Sequence, residues 1–205
     1  MDKNRIIALI KESEGGDVDA VLANRPVQER LEMLKDIENF MQYIGYAGEC
    51  RVMAELLIRG VNALVSRVDN GFDITATRGD EIYLIQVKTA FLDKENIFSF
   101  NIQNGNGGTE YAGKHPAVYV FVLVSGKGEA MNFLVLPKAE LEKQKQAGNI
   151  WFVASTQRDK VKIYLRGGKA FLGKVDNDVS QFLDNWSPFT GEERDEGVKG
   201  EEGVA

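Results

Sequence analysis

Gly71-Phe72-Asp73-Ile74 and, after a short turn, Leu84-Ile85-Gln86-Val87-Lys88-Thr89 are two runs whose alternation predicts a pair of strands. By the two-residue period of a strand, Asp73, Thr75 and Thr77 share one face of the first, and Gln86 and Lys88 share one face of the second. Arg78-Gly79-Asp80-Glu81 has the composition of the turn between them. Such a hairpin sets an acid, an amide oxygen and an ammonium group side by side on one sheet face.

Upstream, the spacing predicts a helix from about Ala47 to Arg59, with Gly60 as its C-terminal stop. Glu49 falls on the same stripe as Val52, Met53, Leu56 and Leu57, so its carboxylate starts from the core-facing side. A carboxylate there is costly unless it is paired or bound to a cation, which makes Glu49 a candidate ligand. The plainer explanation is a place near the helix start, where the helix dipole favours an acid. Glu55 and Arg59 fall elsewhere on the helix and read as solvated. Gly45 is expected to part this helix from an earlier one, capped by Asn24 with Pro26 in its first turn, whose buried stripe is Val27, Leu31, Leu34, Ile37, Phe40 and Met41. A short helix over residues 4 to 12 precedes both.

Downstream, Asn62 to Val68 reads as a strand leading into the hairpin. Phe98, Phe100 and Ile102 alternate with Ser99, Asn101 and Gln103, so one face packs and the other is polar. The glycine-rich run Asn104 to Gly108 lacks a Gly-Lys-Ser and is read as a loop, not a phosphate cradle. Ala117 to Val124 is continuously apolar, the pattern of a central strand covered on both faces. Met131 to Leu136 is a further strand, and Pro137 opens a helix that Gly148 ends. Ile150 to Ala154 and Val161 to Leu165 are two more strands. Val179 to Trp186 is a closing helical turn whose Phe182, Leu183 and Trp186 dock on the body.

The chain has 205 residues and a formal charge of -6, enough length for one α/β domain and too little positive charge to coat nucleic acid by electrostatics alone. The last stretch, from Gly191, carries Glu192, Glu193, Asp195, Glu196, Glu201 and Glu202 against Arg194 and Lys199, and reads as a disordered acidic tail. The remaining body is close to neutral and has room for a local basic rim. Cys50 is the only cysteine, so neither a disulfide framework nor a cysteine zinc cluster is available. The apolar run Ile6 to Ile10 is too short for a signal-peptide core or a membrane span, and a cytoplasmic location with no membrane partner is expected.

In chain order these features are Gly45-Tyr46-Ala47-Gly48-Glu49 opening a helix, Gly60, then Gly71-Phe72-Asp73, then Gln86-Val87-Lys88. That order resembles the PD-(D/E)XK nuclease superfamily, and within it the junction-resolvase-like and homing-type endonucleases with a Gln-x-Lys variant of the motif. The motif-bearing part spans roughly residues 43 to 90. The resemblance implies a restriction-endonuclease-like α/β core, a mixed sheet flanked by helices, over residues 43–190, with residues 1–42 as an N-terminal helical extension and 191–205 as the tail. It also implies a Mg²⁺-dependent deoxyribonuclease with DNA as partner.

The chemistry of the residues stands beside the resemblance. Phosphodiester hydrolysis needs a Lewis acid on a phosphoryl oxygen, an activated water, and neutralisation of charge on the leaving oxygen. Asp73 can hold Mg²⁺ or Mn²⁺ directly, Gln86 through its amide oxygen, Val87 through its backbone carbonyl, and Glu49 can bind the ion or its water. Lys88 would orient the attacking water and stabilise developing negative charge. Gln86 stands where the superfamily usually has an acid, which removes one negative charge from the ion site. The alternative is therefore a catalytically inactive nucleic-acid-binding or assembly module that keeps the nuclease fold. The plainest reading of Asp73, Gln86 and Lys88 singly is as polar residues on a wet sheet face. Cutting two strands would favour a symmetric homodimer. His115 reads as a loop residue, Cys50 as a small core residue, and Trp151 as core.

Overall fold

The computed structural model describes residues 27–66, 72–103, 117–125, 130–154, 156 and 158–191. The expected helix over residues 4 to 12, the Asn24 cap, the loop at Asn104, His115 and the acidic tail lie outside them. A 32-residue helix, α1 (Val27–Ile58), opens the described chain. It runs straight through Gly45, where a break was expected. An interior glycine costs only about 1 kcal/mol relative to alanine, which tertiary packing of the same helix readily offsets. The boundary proposed at residue 42 therefore falls inside a continuous helix.

The C-terminal stop is as expected. Gly60 takes a left-handed φ of 74°. Its N–H reaches the Leu57 carbonyl at 3.0 Å, and the Val61 N–H reaches that of Leu56 at 3.0 Å, the paired bonds of a Schellman cap. Beyond it, β1 (Asn62–Val65), β2 (Ile74–Arg78) and β3 (Glu81–Phe91) form an antiparallel meander. Gly79, with φ of 56°, sits in the β2–β3 turn.

After β4 (Ile97–Gln103), the chain returns as β5 (Ala117–Ser125), which pairs parallel with β3 and antiparallel with β6 (Ala130–Pro137). The result is a five-stranded mixed sheet in the order β1-β2-β3-β5-β6. Pro137 caps α2 (Lys138–Gln146). β7 (Trp151–Val153) and β8 (Arg158–Arg166) join β4 in a second sheet ordered β4-β8-β7, and β9 (Lys169–Leu172) pairs with β8. β9 was not expected from the sequence. Its signal is Gly167-Gly168, a two-residue hairpin turn with φ of 56° and 74°, which only glycine adopts without strain.

Two cores separate three layers. In the first, Val52 and Leu56 of α1 pack on Ile74, Ile85, Val87 and Val120 of the mixed sheet. In the second, Phe121, Leu123, Leu134 and Leu136 of that sheet meet Phe98, Phe100, Val161 and Ile163 of the other. β5 serves both cores, which is why its sequence is apolar without alternation. The fold is thus a mixed α/β structure with a mixed sheet, as expected of a restriction-endonuclease-like core, flanked by α1 on one face and by the second sheet together with Leu141 of α2 on the other.

Several burial expectations need correction. Phe40 is buried, but Met41 and Leu57 are exposed because the sheet covers a narrower stripe of α1 than the spacing implied. Trp151 is 37% exposed, not core. It lies on β7, at the end of the second sheet, where only one neighbouring strand is available to cover it. Cys50 is half-buried. The closing segment docks as expected, with Trp186 and Phe189 in the first core, and Phe182 and Leu183 against the second. No helix among the described residues is long and apolar enough to cross a membrane.

Gly48 shows how closely α1 meets the sheet. A Cβ built there would lie 1.9 Å from Thr89 Oγ1, whereas one at Gly45 would meet nothing within 4 Å. Gly48→Ala is therefore expected to cost about 1–3 kcal/mol by overpacking, against a helix-propensity gain of roughly 1 kcal/mol. Gly45→Ala should stabilise by that gain alone. Urea denaturation of the two variants checks the contrast, and equal midpoints would refute the close approach.

Candidate active site

Asp73 ends β2 with an irregularity, not as a regular strand residue. Its carbonyl still accepts from Ser66 N–H at 2.7 Å, in step with the β1 ladder. Its own N–H turns to the Ile85 carbonyl at 2.8 Å, one residue short of the partner that continued β2–β3 register would assign. The Asp73 carboxylate then accepts the Val87 N–H at 2.6 Å, replacing a main-chain bond that β2 no longer supplies. This is the bend of a bulge, which commonly re-aims a side chain at the end of a ladder. Because an extended residue presents its N–H and C=O to the same side, the Val87 carbonyl also faces the gap left by β2.

Glu49 arrives from the helical layer. Its neighbour Gly48 lies against Thr89 of β3, on the face that also carries Ile85 and Val87. The far end of α1 is held by Arg59, whose guanidinium pairs with Glu55 at 2.7 Å and lies 5.0 Å from the Trp186 ring centroid. Glu55 and Arg59 are thus partners, not separately solvated. Glu49 is half-buried, and its carboxyl is pushed up from an ordinary 4.5 to about 7. Burial is the largest cause and the Asp73 carboxylate the second, while Lys88 pulls in the opposite direction. Glu49, Asp73 and Lys88, from three separate elements, therefore share one electrostatic neighbourhood.

Gln86 and Lys88 leave β3 on the other face. They pair in register with Tyr119 and Phe121 of β5 and alternate with buried Ile85 and Val87. Glu49 and the Gln86–Lys88 face thus lie on opposite sides of the sheet, midway along β3, where Asp73 bends at the start of β2. This differs from a simple convergence on one face. Among the described residues, no group of three or more His, Cys, Asp or Glu gathers as a metal site. The oxygen donors present are two carboxylates, an amide and a main-chain carbonyl, a donor set that suits a hard cation which keeps some of its water. A buried acid whose proton affinity is raised by a neighbouring carboxylate is the arrangement such a cation relieves.

Sequence reasoning missed Gly48 and Thr89, which set how near α1 stands to β3. Thr89 Oγ1 is buried without a hydrogen-bond partner among the described residues. The only trace in the sequence is a small residue immediately before the helix acid.

The raised Glu49 pKa has a sign that can be measured. The folded state binds this proton more tightly than the unfolded chain, so Glu49 opposes folding increasingly as pH rises from about 4.5 to about 7, and constantly above that. The thermal midpoint of the wild type is expected to fall over that interval relative to Glu49→Gln. Parallel midpoint profiles for the two proteins would show that Glu49 titrates normally.

No protein-family model and no curated protein matches the chain. Among solved structures it is similar to Hjc of Archaeoglobus fulgidus, a Holliday junction resolvase from an archaeal hyperthermophile. The match has 16% identity and a TM-score of 0.33, and covers 57% of this chain and 81% of that one. At that score the likeness assigns no function here.

Proposed function

We propose that the protein is a metal-dependent endonuclease of the PD-(D/E)XK type that hydrolyses phosphodiester bonds in DNA. The observation that carries this reading is the shared neighbourhood of Glu49, Asp73 and Lys88, with Glu49 raised to about 7 by burial and by Asp73. Asp73, Glu49, the Gln86 amide oxygen and the Val87 carbonyl would hold Mg²⁺ or Mn²⁺. When bound, the ion supplies Lewis-acid polarisation of a phosphoryl oxygen and a more acidic water. The protein's own residues do the rest. Asp73, anchored by the Val87 N–H, keeps its carboxylate in one orientation. Lys88 holds the attacking water by hydrogen bond and offsets the negative charge that develops on the phosphate. DNA would be the partner, and a homodimer would match two cuts to two strands.

The second reading, a binding or assembly module without catalysis, is favoured by one observation: among the described residues no third acid gathers with Glu49 and Asp73. A plasmid-nicking assay with Mg²⁺ and Mn²⁺ separates the two. Gln86→Glu adds a third carboxylate in nearly the same shape and is expected to lower the Mg²⁺ concentration needed for nicking. DNA binding without nicking, in both the wild type and Gln86→Glu, would remove the enzyme reading.

A further inference from the structure

The second sheet turns one face to its core and the other to solvent. Along β8, Asp159, Val161 and Ile163 are buried, whereas Arg158, Lys160, Lys162 and Tyr164 alternate with them on the outer face. β4 continues that face with Asn101 opposite Lys160 and Ser99 opposite Lys162, and β7 continues it with Trp151 opposite Lys160. The Lys162 ammonium lies 5.6 Å from the Trp151 ring centroid. No acid occupies an outward position of β4, β7 or β8, and the one acid of β8, Asp159, is turned inward against Lys145 at 2.6 Å. Among the described residues, no ion pair engages Arg158, Lys160 or Lys162.

We infer that this outer face binds a single-stranded nucleic acid, its phosphates on the row Arg158–Lys160–Lys162 and a base on Trp151. Charge complementarity selects a polyanion, in a chain whose overall charge is negative. The half-exposed indole selects a strand with free base faces, because a duplex hides them in its stack. Asn101 adds a neutral hydrogen-bonding group beside the cationic row. Successive residues on one strand face lie about 7 Å apart, close to the phosphate spacing of an extended strand, so one row of side chains can follow one backbone. The second core lies between this face and the mixed sheet, so the inference goes beyond the cleavage reading and holds whether or not the protein cuts.

The test uses the full chain in EDTA, where cleavage cannot occur. Fluorescence anisotropy is measured with labelled oligo-dT and oligo-U of about twenty nucleotides, which distinguish DNA from RNA as the source of the strand. Binding is expected to weaken with salt, and Trp151 emission to be quenched on binding. Trp151→Ala should weaken binding by about 5- to 150-fold, the range for losing one stacked base. Trp151→Phe should retain most of it. Lys160→Glu with Lys162→Glu should abolish binding and leave the thermal midpoint near the wild type, since both side chains face solvent. The inference is overturned if the double variant binds as the wild type does, if an equal length of duplex competes as well as the single strand, or if only an acidic peptide such as polyglutamate binds. Plasmid nicking with Mg²⁺ is measured separately on the same wild-type protein, so absence of nicking leaves the oligonucleotide result readable and absence of oligonucleotide binding leaves the nicking result readable.

Discussion

Lys88→Ala is expected to lower DNA nicking by about 10²- to 10⁴-fold, the range for removing a positioned group that moves a proton or stabilises the transition state. Mg²⁺ affinity should stay within a fewfold of the wild type, because an ammonium carries no lone pair for a metal. A second consequence follows from the neighbourhood of Glu49. Lys88 holds the Glu49 carboxyl down against burial and Asp73, so its removal should raise the Glu49 pKa further. The residual activity of Lys88→Ala should therefore rise at a higher pH than that of the wild type. Nicking kinetics across pH, with Mg²⁺ binding measured by calorimetry, check all three statements. Full activity in Lys88→Ala would make the residue a solvated lysine on a sheet face.

Asp73 joins the fold and the site, and two substitutions separate the roles. Asp73→Ala removes the acceptor of the Val87 N–H and is expected to destabilise by about 1–3 kcal/mol, the cost of leaving a part-buried donor unpaired. It should also abolish Mg²⁺ binding and nicking. Asp73→Asn keeps an oxygen for Val87 but removes the charge. It should fold with a denaturation midpoint near that of the wild type, yet lose about a thousandfold or more in nicking. In both variants the Glu49 pKa should fall toward its ordinary value, because the neighbouring carboxylate charge is gone. If Asp73→Asn nicks normally, the Asp73 carboxylate is structural only, and the metal reading fails with it.

Local pattern by itself determined much of this protein. The alternation of residues 74–78 and 81–89 and the turn at Gly79 specify the hairpin, because side-chain period and backbone handedness act over a few residues. The same holds for Phe98, Phe100 and Ile102, whose inward face matches the expectation, and for Gly60, which ends α1 through its left-handed φ. The unbroken apolarity of β5 announced a strand with a core on each side. Glu49 could be placed on the inward stripe from its offsets to Val52 and Leu56. What the offsets could not supply was its neighbours.

Those neighbours depend on contacts made far along the chain. Gly45 has nothing near it and does not interrupt α1, whereas Gly48, indistinguishable from it by composition, stands against Thr89. Trp151 reads as core by its apolarity but lies on an end strand of the second sheet, where its ring meets Lys162. The bend at Asp73 arises because β2 parts from β3 there and the carboxylate substitutes for the missing main-chain acceptor, a hydrogen-bond requirement visible only when both strands are in place. The elevated Glu49 pKa has the same origin, since burial and the fields of Asp73 and Lys88 act through space and not along the sequence.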